Sequence, residues 1–278
     1  MYSQVAPIAR PYEVLGLIPA AGHATRLAPL PFSKELYPIG WKRGADGNEQ
    51  RPKVACHYLL EKMRRADITK AYIVVREGKW DIPAYLRDGS MLGMHLGYCV
   101  VGPTLGPSYT LDEAYPFVRH SVVAFGFPDI LFEGDDAFCE LLSQQARGHA
   151  DIVLGLFPAD QPEKMDMIEF GEDHQVSDLV IQPPTTQLQQ SWEIAVWTPV
   201  FTEFMHDYLT AQKKLSSTPP DLSVGHVIQA AIRHGMRTEG VEISDQPYCD
   251  IGTPDGMTRA IKRFAADEET AQHSGSTR

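Results

Sequence analysis

The 278-residue sequence has few cysteines, no concentrated positive charge and no long apolar run. Its four cysteines lack Cys-x-x-Cys spacing, which favours reduced, mostly buried thiols over a disulfide framework or a metal site. The net charge is −11 and no block of Lys or Arg occurs, so general binding to nucleic acid or to a membrane surface is not expected. No apolar run approaches the roughly 20 residues that span a membrane, and the N-terminus has no signal-peptide pattern. We therefore expect a cytoplasmic protein.

Short apolar runs alternate with segments of helical period along the first half of the chain. Such runs, separated by helices, are typical of a parallel sheet covered on both faces. The predicted strands are 14–20, 71–75, 98–101, 121–127 and 151–157, and the predicted helices are 54–65 and 137–146. The second half predicts shorter strands of a mixed or antiparallel extension at 167–170, 176–181 and 193–197, and helices at 200–213, 223–234 and 254–266. No linker or repeat interrupts the chain, so we expect one domain over 11–267, with flexible ends at 1–10 and 268–278.

The most informative stretch follows the first strand and reads IPAAGHATRLAPLPFSKELYPIG, from Ile18 to Gly40. Small residues after a strand let backbone N–H groups approach phosphate oxygens, and a cation that follows neutralises them. For the segment AAGHATR alone, a tight turn with surface charges is the simpler alternative. The stretch is not a dinucleotide fingerprint, because Gly22 lacks the accompanying glycines, and it is not a P-loop, because no Gly-Lys-Ser/Thr follows.

The whole stretch resembles the signature of the sugar-1-phosphate nucleotidylyltransferases, in which G-x-G-T-R is followed by S-K-x-L-x-P. Glucose-1-phosphate thymidylyl- and uridylyltransferases are the most similar members. A second segment, YCDIGTP from Tyr248, resembles the family's W-x-D-x-G-T-P motif, and the resemblance covers about residues 15–264. It implies an α/β fold: a Rossmann-like three-layer αβα nucleotidyltransferase fold with a mixed, mostly parallel central sheet and a smaller β-rich extension on the acceptor side.

The resemblance also implies roles for individual residues. Arg26 would contact the β- and γ-phosphates of a nucleoside triphosphate, and Lys34 would stabilise charge at the α-phosphorus, so these two are the implied catalytic residues. Asp129 and Asp250 would hold Mg²⁺, a hard cation suited to one or two carboxylates plus phosphate oxygens. A small phosphorylated acceptor would attack the α-phosphorus, and the protein could form a homo-oligomer. The implied nucleotide-binding residues are Ala20, Ala21, Gly22, His23, Ala24, Thr25, Arg26 and Gly106.

Structural roles are the alternative for several of these residues. Asp129 follows Pro128, as a turn residue at the end of a strand would. An Asx cap of the last helix is the alternative for Asp250, and an exposed spacer in the loop is the alternative for His23.

The sequence departs from the family pattern in the loop and on the acceptor side. Ala24 replaces a glycine, and its methyl group fits a negative φ but would narrow the phosphate cradle. Ile181 and Gln182 replace the Glu-Lys pair of V-x-E-K-P. We expect Gln182, Trp192 and Trp197 to contact the acceptor, with core packing as the alternative for the two tryptophans. These changes favour a deoxygenated or non-sugar acceptor, such as a cyclitol or alcohol phosphate, over an ordinary hexose-1-phosphate.

Two other functions are compatible with the sequence. The altered loop and the missing Glu-Lys pair would suit a nucleotide-binding regulatory or inactive paralogue. A nucleotide-sugar glycosyltransferase of similar fold would use the same kind of metal carboxylate. The intact SKELYPI run favours nucleotidylyl transfer, since Lys34 then has a role beside an α-phosphorus.

Overall fold

The computed structural model describes residues 12–43, 49–171, 173–216 and 218–265, so the ends predicted to be flexible lie outside the described residues. The strands are β1 (Val14–Pro19), β2 (Pro38–Arg43), β3 (Gln50–Val54), β4 (Lys70–Arg76), β5 (His95–Val101), β6 (Val122–Gly126), β7 (Ile130–Leu131), β8 (Ile152–Pro158), β9 (Met167–Phe170), β10 (Val176–Val180), β11 (Gln190–Trp197), β12 (Thr238–Glu242) and β13 (Cys249–Asp250). The helices are α1 (Ala55–Arg65), α2 (Asp81–Leu86), α3 (Pro107–Asp112), α4 (Tyr115–Val118), α5 (Ala137–Gly148), α6 (Pro199–Leu215), α7 (Val224–Arg233) and α8 (Pro254–Phe264). None of the helices in these ranges is both long enough and apolar enough to cross a bilayer.

One large sheet organises the described part of the chain. Its main path runs β10-β9-β11-β6-β1-β4-β5; β8 pairs with β11, and β12 pairs with β8. Strands β6, β1, β4 and β5 are parallel to one another, whereas β11 runs antiparallel to both β6 and β8. The antiparallel pair β9–β10 extends the sheet past β11. The predicted mixed, mostly parallel sheet and its β-rich extension are therefore confirmed.

Helices cover both faces of this sheet. Leu15 and Leu17 of β1 pack into one core cluster, which includes residues of α3, α6 and α7. Ile18 packs on the other face, with residues of α1, α2 and α5. Successive side chains of a strand point to opposite faces, so a strand with apolar residues at nearly every position must be covered on both sides. This arrangement gives the three layers of the fold.

The predicted helices and strands are present, with ends that differ by at most three residues within the described ranges. Helix α8 begins as predicted, with Pro254 in its first turn and the Thr253 side chain accepting a hydrogen bond from the Gly256 N–H at 3.1 Å. Two short antiparallel pairs, β2–β3 and β7–β13, were not predicted. Because β7 and β13 contain two residues each, they are too short to show a periodic pattern.

Candidate active site

A cavity of about 1020 Å³ opens at one edge of the central sheet. Residues at or just after the carboxyl ends of four parallel strands line it: Pro19, Arg76, Val101 and Phe127. Residues of β11 and of the first turn of α7 line it as well. In open α/β sheets, ligands bind outside the carboxyl ends of the strands, where connecting loops supply the side chains. The loop from Ile18 to Gly40 leaves β1 at this edge.

The first half of this loop is shaped by a left-handed residue. Ala24 has φ 53° and ψ 35°, in the left-handed region. The structure therefore lacks the negative φ that would suit the methyl group of Ala24. It precedes a single 3₁₀ turn, Thr25–Leu27, which carries Arg26. Glycine adopts this conformation without the steric cost of a Cβ atom, which is the physical reason for a glycine at this position in the family pattern.

The second half of the loop is fixed by two carboxylates, neither of which the sequence analysis identified. Asp81 in α2 accepts hydrogen bonds from the Ser33 backbone N–H at 2.6 Å and the Ser33 hydroxyl at 2.8 Å. Burial alone would raise the pKa of Asp81, but these hydrogen bonds lower it. Glu35, 2% exposed, pairs at 2.8 Å with Lys79, whose ammonium also donates to the Gly22 carbonyl at 3.4 Å. The two halves of the loop are therefore tied to the same β4–α2 connection.

Two cations and two carboxylates meet at the wall of the cavity. Lys34 forms an ion pair with Asp129, and Arg26 lies 3.3 Å from the Asp250 carboxylate. Burial would lower the pKa of Lys34, but the Asp129 carboxylate raises it. A Cβ atom added at Gly252 would lie 2.8 Å from Asp250 Oδ1, 2.9 Å from Arg26 Nη2 and 3.2 Å from Lys34 Nζ. The three charged groups thus converge on one point, which only glycine leaves open.

Asp129 and Asp250 come together through the unpredicted β7–β13 pair. Asp250 is the register partner of Ile130, and the Ile251 N–H donates to the Asp129 carbonyl at 3.1 Å. The Gly252 N–H donates to Asp250 Oδ1 at 2.7 Å, a local turn alongside the ion pair with Arg26. The cap of the last helix is Thr253, so the alternative that Asp250 caps this helix is wrong.

The structure brings most of the predicted nucleotide-binding residues to the cavity. Besides Arg26, these are Ala21, Gly22, His23 and Gly106. Ala24 lines a smaller adjoining cavity of about 470 Å³. Ala20 and Thr25 lie at neither wall. Ala20 is 2% exposed, and its N–H continues the sheet by donating to the Val74 carbonyl at 2.7 Å. Thr25 is exposed on the 3₁₀ turn.

The acceptor side differs in part from the prediction. Gln182 and Trp192 line the cavity, and Trp192 is 4% exposed. Trp197 does not reach it: the side chain is fully buried, and its indole N–H donates to the Thr202 hydroxyl at 3.0 Å. The core-packing alternative therefore holds for Trp197. Ile181 packs against the core cluster on the α7 side of the sheet and does not line the cavity, so its apolar side chain does not shape the acceptor site.

Two acidic residues at this wall were missed by the sequence analysis. Asp166 accepts a hydrogen bond from the Gln182 backbone N–H, and burial raises the pKa of Asp166 to about 6. Glu193 accepts one from the Tyr248 hydroxyl; burial raises the pKa of Glu193 well above its ordinary value, and the nearby charge of Asp250 adds to this effect. Glu193 is the only charged residue of the segment SWEIAVW. A single acidic residue in an otherwise apolar strand is unusual, and it could have indicated a functional residue from the sequence alone.

Comparison with known proteins places the chain in a family. The model of the nucleotidyl transferase family matches residues 15–267. The chain belongs to the nucleotidyl transferase family. This membership confirms the resemblance that the loop after β1 and the segment around Asp250 indicated.

Two individual proteins are similar to this member of the family. The low-salt glycan biosynthesis nucleotidyltransferase Agl11 of Haloferax volcanii is 22% identical over 259 residues, which cover 91% of this chain and 66% of that protein. The crystal structure of a Bacillus anthracis protein assigned as a glucose-1-phosphate thymidylyltransferase, in complex with sucrose, has a TM-score of 0.75 at 19% identity. That likeness covers 91% of this chain and 96% of the other, and it concerns the fold.

Proposed function

We propose that this protein transfers a nucleotidyl group from a nucleoside triphosphate to a small phosphorylated acceptor and releases pyrophosphate. The observation that carries the proposal is the convergence of Arg26, Lys34 and Asp250 around Gly252, with Asp129 beside Lys34. Transfer between phosphates develops negative charge, and a site that catalyses it needs fixed cations and carboxylates at one point.

The reaction requires no protein nucleophile. A phosphate oxygen of the acceptor attacks the α-phosphorus, a new P–O bond forms, and the bond to the β-phosphate breaks, so that pyrophosphate leaves. Lys34, held between two anchored loop residues, is the cation that stabilises charge at the α-phosphorus. Arg26, which is 62% exposed, binds the outer phosphates. The contribution of the protein is alignment and electrostatic stabilisation.

Mg²⁺ suits the side chains at this position. Asp129 and Asp250 offer hard carboxylate oxygens. Asp129 pairs with Lys34 and Asp250 pairs with Arg26, so both carboxylates lie in the same charged cluster. No group of three or more His, Cys, Asp and Glu side chains is placed to hold a metal among the described residues. The two carboxylates would therefore share the ion with phosphate oxygens of the substrates. When bound, the ion neutralises charge on those phosphates.

The intact cluster favours an active enzyme over an inactive paralogue. Both ion pairs are present, and the loop that carries the two cations is anchored by Glu35 and Asp81. The name of the Haloferax volcanii relative supports an acceptor from glycan biosynthesis, that is, a sugar phosphate or a similar phosphate.

Pyrophosphate release tests the proposal directly. The protein is incubated with Mg²⁺, each of ATP, CTP, GTP, UTP and dTTP, and a panel of sugar, cyclitol and alcohol phosphates. We expect pyrophosphate to depend on the acceptor and on Mg²⁺, and chelation by EDTA to abolish it. Asp250→Asn should lower turnover at least about 100-fold with an unchanged circular dichroism spectrum, because the variant loses a metal carboxylate.

The controls separate this function from the others considered. Pyrophosphate without any acceptor would indicate triphosphate hydrolysis. Triphosphate binding by calorimetry without turnover would favour a regulatory protein, and turnover of a nucleotide sugar in place of a triphosphate would favour a glycosyltransferase. Unchanged turnover in Asp250→Asn would remove Asp250 from the site.

A further inference from the structure

The acceptor side of the cavity has two carboxyl groups that pair with no Lys or Arg of the described residues. Asp166, directly before β9, and Glu193, in β11, both line the cavity. Their hydrogen bonds come from neutral donors, the Gln182 backbone N–H and the Tyr248 hydroxyl, and no Lys or Arg in the described part of the chain pairs with either carboxylate. Burying an unpaired carboxylate is costly, and a positively charged ligand would offset that cost.

Among the described residues, none of the Lys and Arg side chains that line the cavity pairs with Asp166 or Glu193. Lys34 and Arg26 pair with Asp129 and Asp250. Lys164, near Asp166 in the chain, is exposed and donates to Gln161 Oε1 at 2.8 Å. Arg76, at the end of β4, donates to the Glu77 carbonyl at 3.2 Å. In the function proposed above, Lys34 stabilises the reacting phosphates, so the phosphate of the acceptor lies toward Lys34 and the remainder of the acceptor faces the two carboxylates.

An aromatic side chain, Trp192, lines the same side of the cavity as Asp166 and Glu193 and is a second, independent observation. It lines the cavity at 4% exposure, and its indole N–H has no hydrogen-bond partner among the described residues. Phe127 also lines the cavity. Aromatic faces beside carboxylates form the kind of surface that binds ammonium groups.

We propose, on the basis of the function proposed above, that the acceptor carries a positively charged nitrogen, either an amine or a quaternary ammonium, in addition to its phosphate. Asp166 and Glu193 pair with this nitrogen beside Trp192, and the phosphate faces Lys34. A neutral sugar or alcohol can hydrogen-bond to these carboxyl groups but supplies no positive charge to offset the cost of ionising them in this cavity. A cationic nitrogen pairs them, and its own desolvation is offset at the same time.

The test compares phosphates that differ only in this charge. One pair is glucosamine-1-phosphate and glucose-1-phosphate; the other is choline phosphate and its uncharged carbon analogue, 3,3-dimethylbutyl phosphate. Pyrophosphate release is measured with the full chain, Mg²⁺ and each nucleoside triphosphate. In at least one pair, kcat/KM should be higher for the charged member by about tenfold or more, the difference between a charge-assisted and a neutral hydrogen bond.

Two variants and a control connect this preference to the wall. Glu193→Gln and Asp166→Asn keep the size of each side chain and remove its charge, and both should reduce the preference. Glu77 also lines the cavity, directly after β4 and away from Asp166 and Glu193 in the chain. Glu77→Gln should leave the ratio of kcat/KM between the charged and the neutral phosphate as in the wild type. If Asp166 served only to support the first turn of α7, beside which it lies, Asp166→Asn would lower Tm and leave the preference unchanged.

The outcomes separate this inference from the proposed function. Pyrophosphate release with equal or better use of the neutral members would overturn the inference and leave nucleotidyl transfer standing. If no pair gives pyrophosphate, calorimetry with the same phosphates decides. Tighter binding of a charged member that is lost in Glu193→Gln would support the inference while the proposed function fails, and equal binding would overturn it. If Glu193→Gln does not fold, the paired phosphates on the wild-type protein decide alone.

Discussion

Gly252 lies where the charged groups of the candidate active site meet. Its N–H donates to Asp250 at 2.7 Å, and the space above its Cα is bounded by Asp250, Arg26 and Lys34. In Gly252→Ala, the added methyl would lie 2.8 Å from Asp250 Oδ1 and 2.9 Å from Arg26 Nη2. Neither contact is tolerable for a Cβ atom, so the carboxylate, the guanidinium or both must move.

The required displacement is small, but catalysis is sensitive to it. Carbon atoms approach other heavy atoms most favourably at about 3.5–4.0 Å, so the charged groups would shift by roughly half an ångström or more. A misplacement of about 1 Å costs on the order of 100-fold in rate, so we expect kcat to fall about 10- to 100-fold. The loss should appear in kcat, measured by pyrophosphate release with the best substrate pair, and Tm should change little because the atoms that must move are the ends of the Asp250, Arg26 and Lys34 side chains.

Gly102→Ala is the matched control. Gly102 lines the cavity that Arg26, Lys34 and Asp250 also line, but a Cβ atom there would have no heavy atom within 4 Å. Its kcat should therefore stay close to that of the wild type. A Gly252→Ala variant with wild-type kcat would refute the reasoning, since it would mean that the positions of Arg26, Lys34 and Asp250 do not set the rate.

Three further predictions concern the loop after β1 and Asp166 on the acceptor side of the cavity. Arg26→Ala should chiefly raise KM for the triphosphate and Lys34→Ala should chiefly lower kcat, because charge builds beside Lys34 only during transfer; equal effects on KM alone would contradict these roles. Lys79→Met should cost about 3–5 kcal/mol of unfolding free energy in urea, since it leaves the buried Glu35 unpaired, and adding Glu35→Gln should recover part of the loss; a neutral single variant would contradict the anchoring role. The pKa of Asp166 is raised from 3.8 to about 6, so its carboxylate destabilises the fold above pH 6 and not below about pH 4. Asp166→Asn should therefore stabilise the protein by up to about 3 kcal/mol at pH 8, with the gain disappearing as the pH falls through 6 toward 4, and a gain independent of pH would contradict the shift.

The sequence by itself determined the layers of the fold and the identity of the central charged groups. Apolar runs such as that of β1 are buried on both faces, and this local pattern is sufficient to indicate a covered parallel sheet. Arg26, Lys34 and Asp250 were identified because they lie in contiguous motifs, in which the residue types and their spacing can be read directly.

Only the tertiary structure decided which side chains face the cavity. Trp192 and Trp197 share one strand, yet Trp192 lines the cavity and Trp197 is sealed in the core beside Thr202. Ile181 interrupts the expected motif but packs away from the site, whereas Asp166 reaches the site from the residue before β9 and Glu193 reaches it from β11. These assignments depend on register, on bulges such as the shift between Trp192 and Ile194, and on contacts between distant segments. A strand pattern does not encode them, because a one-residue change of register turns every side chain to the other face.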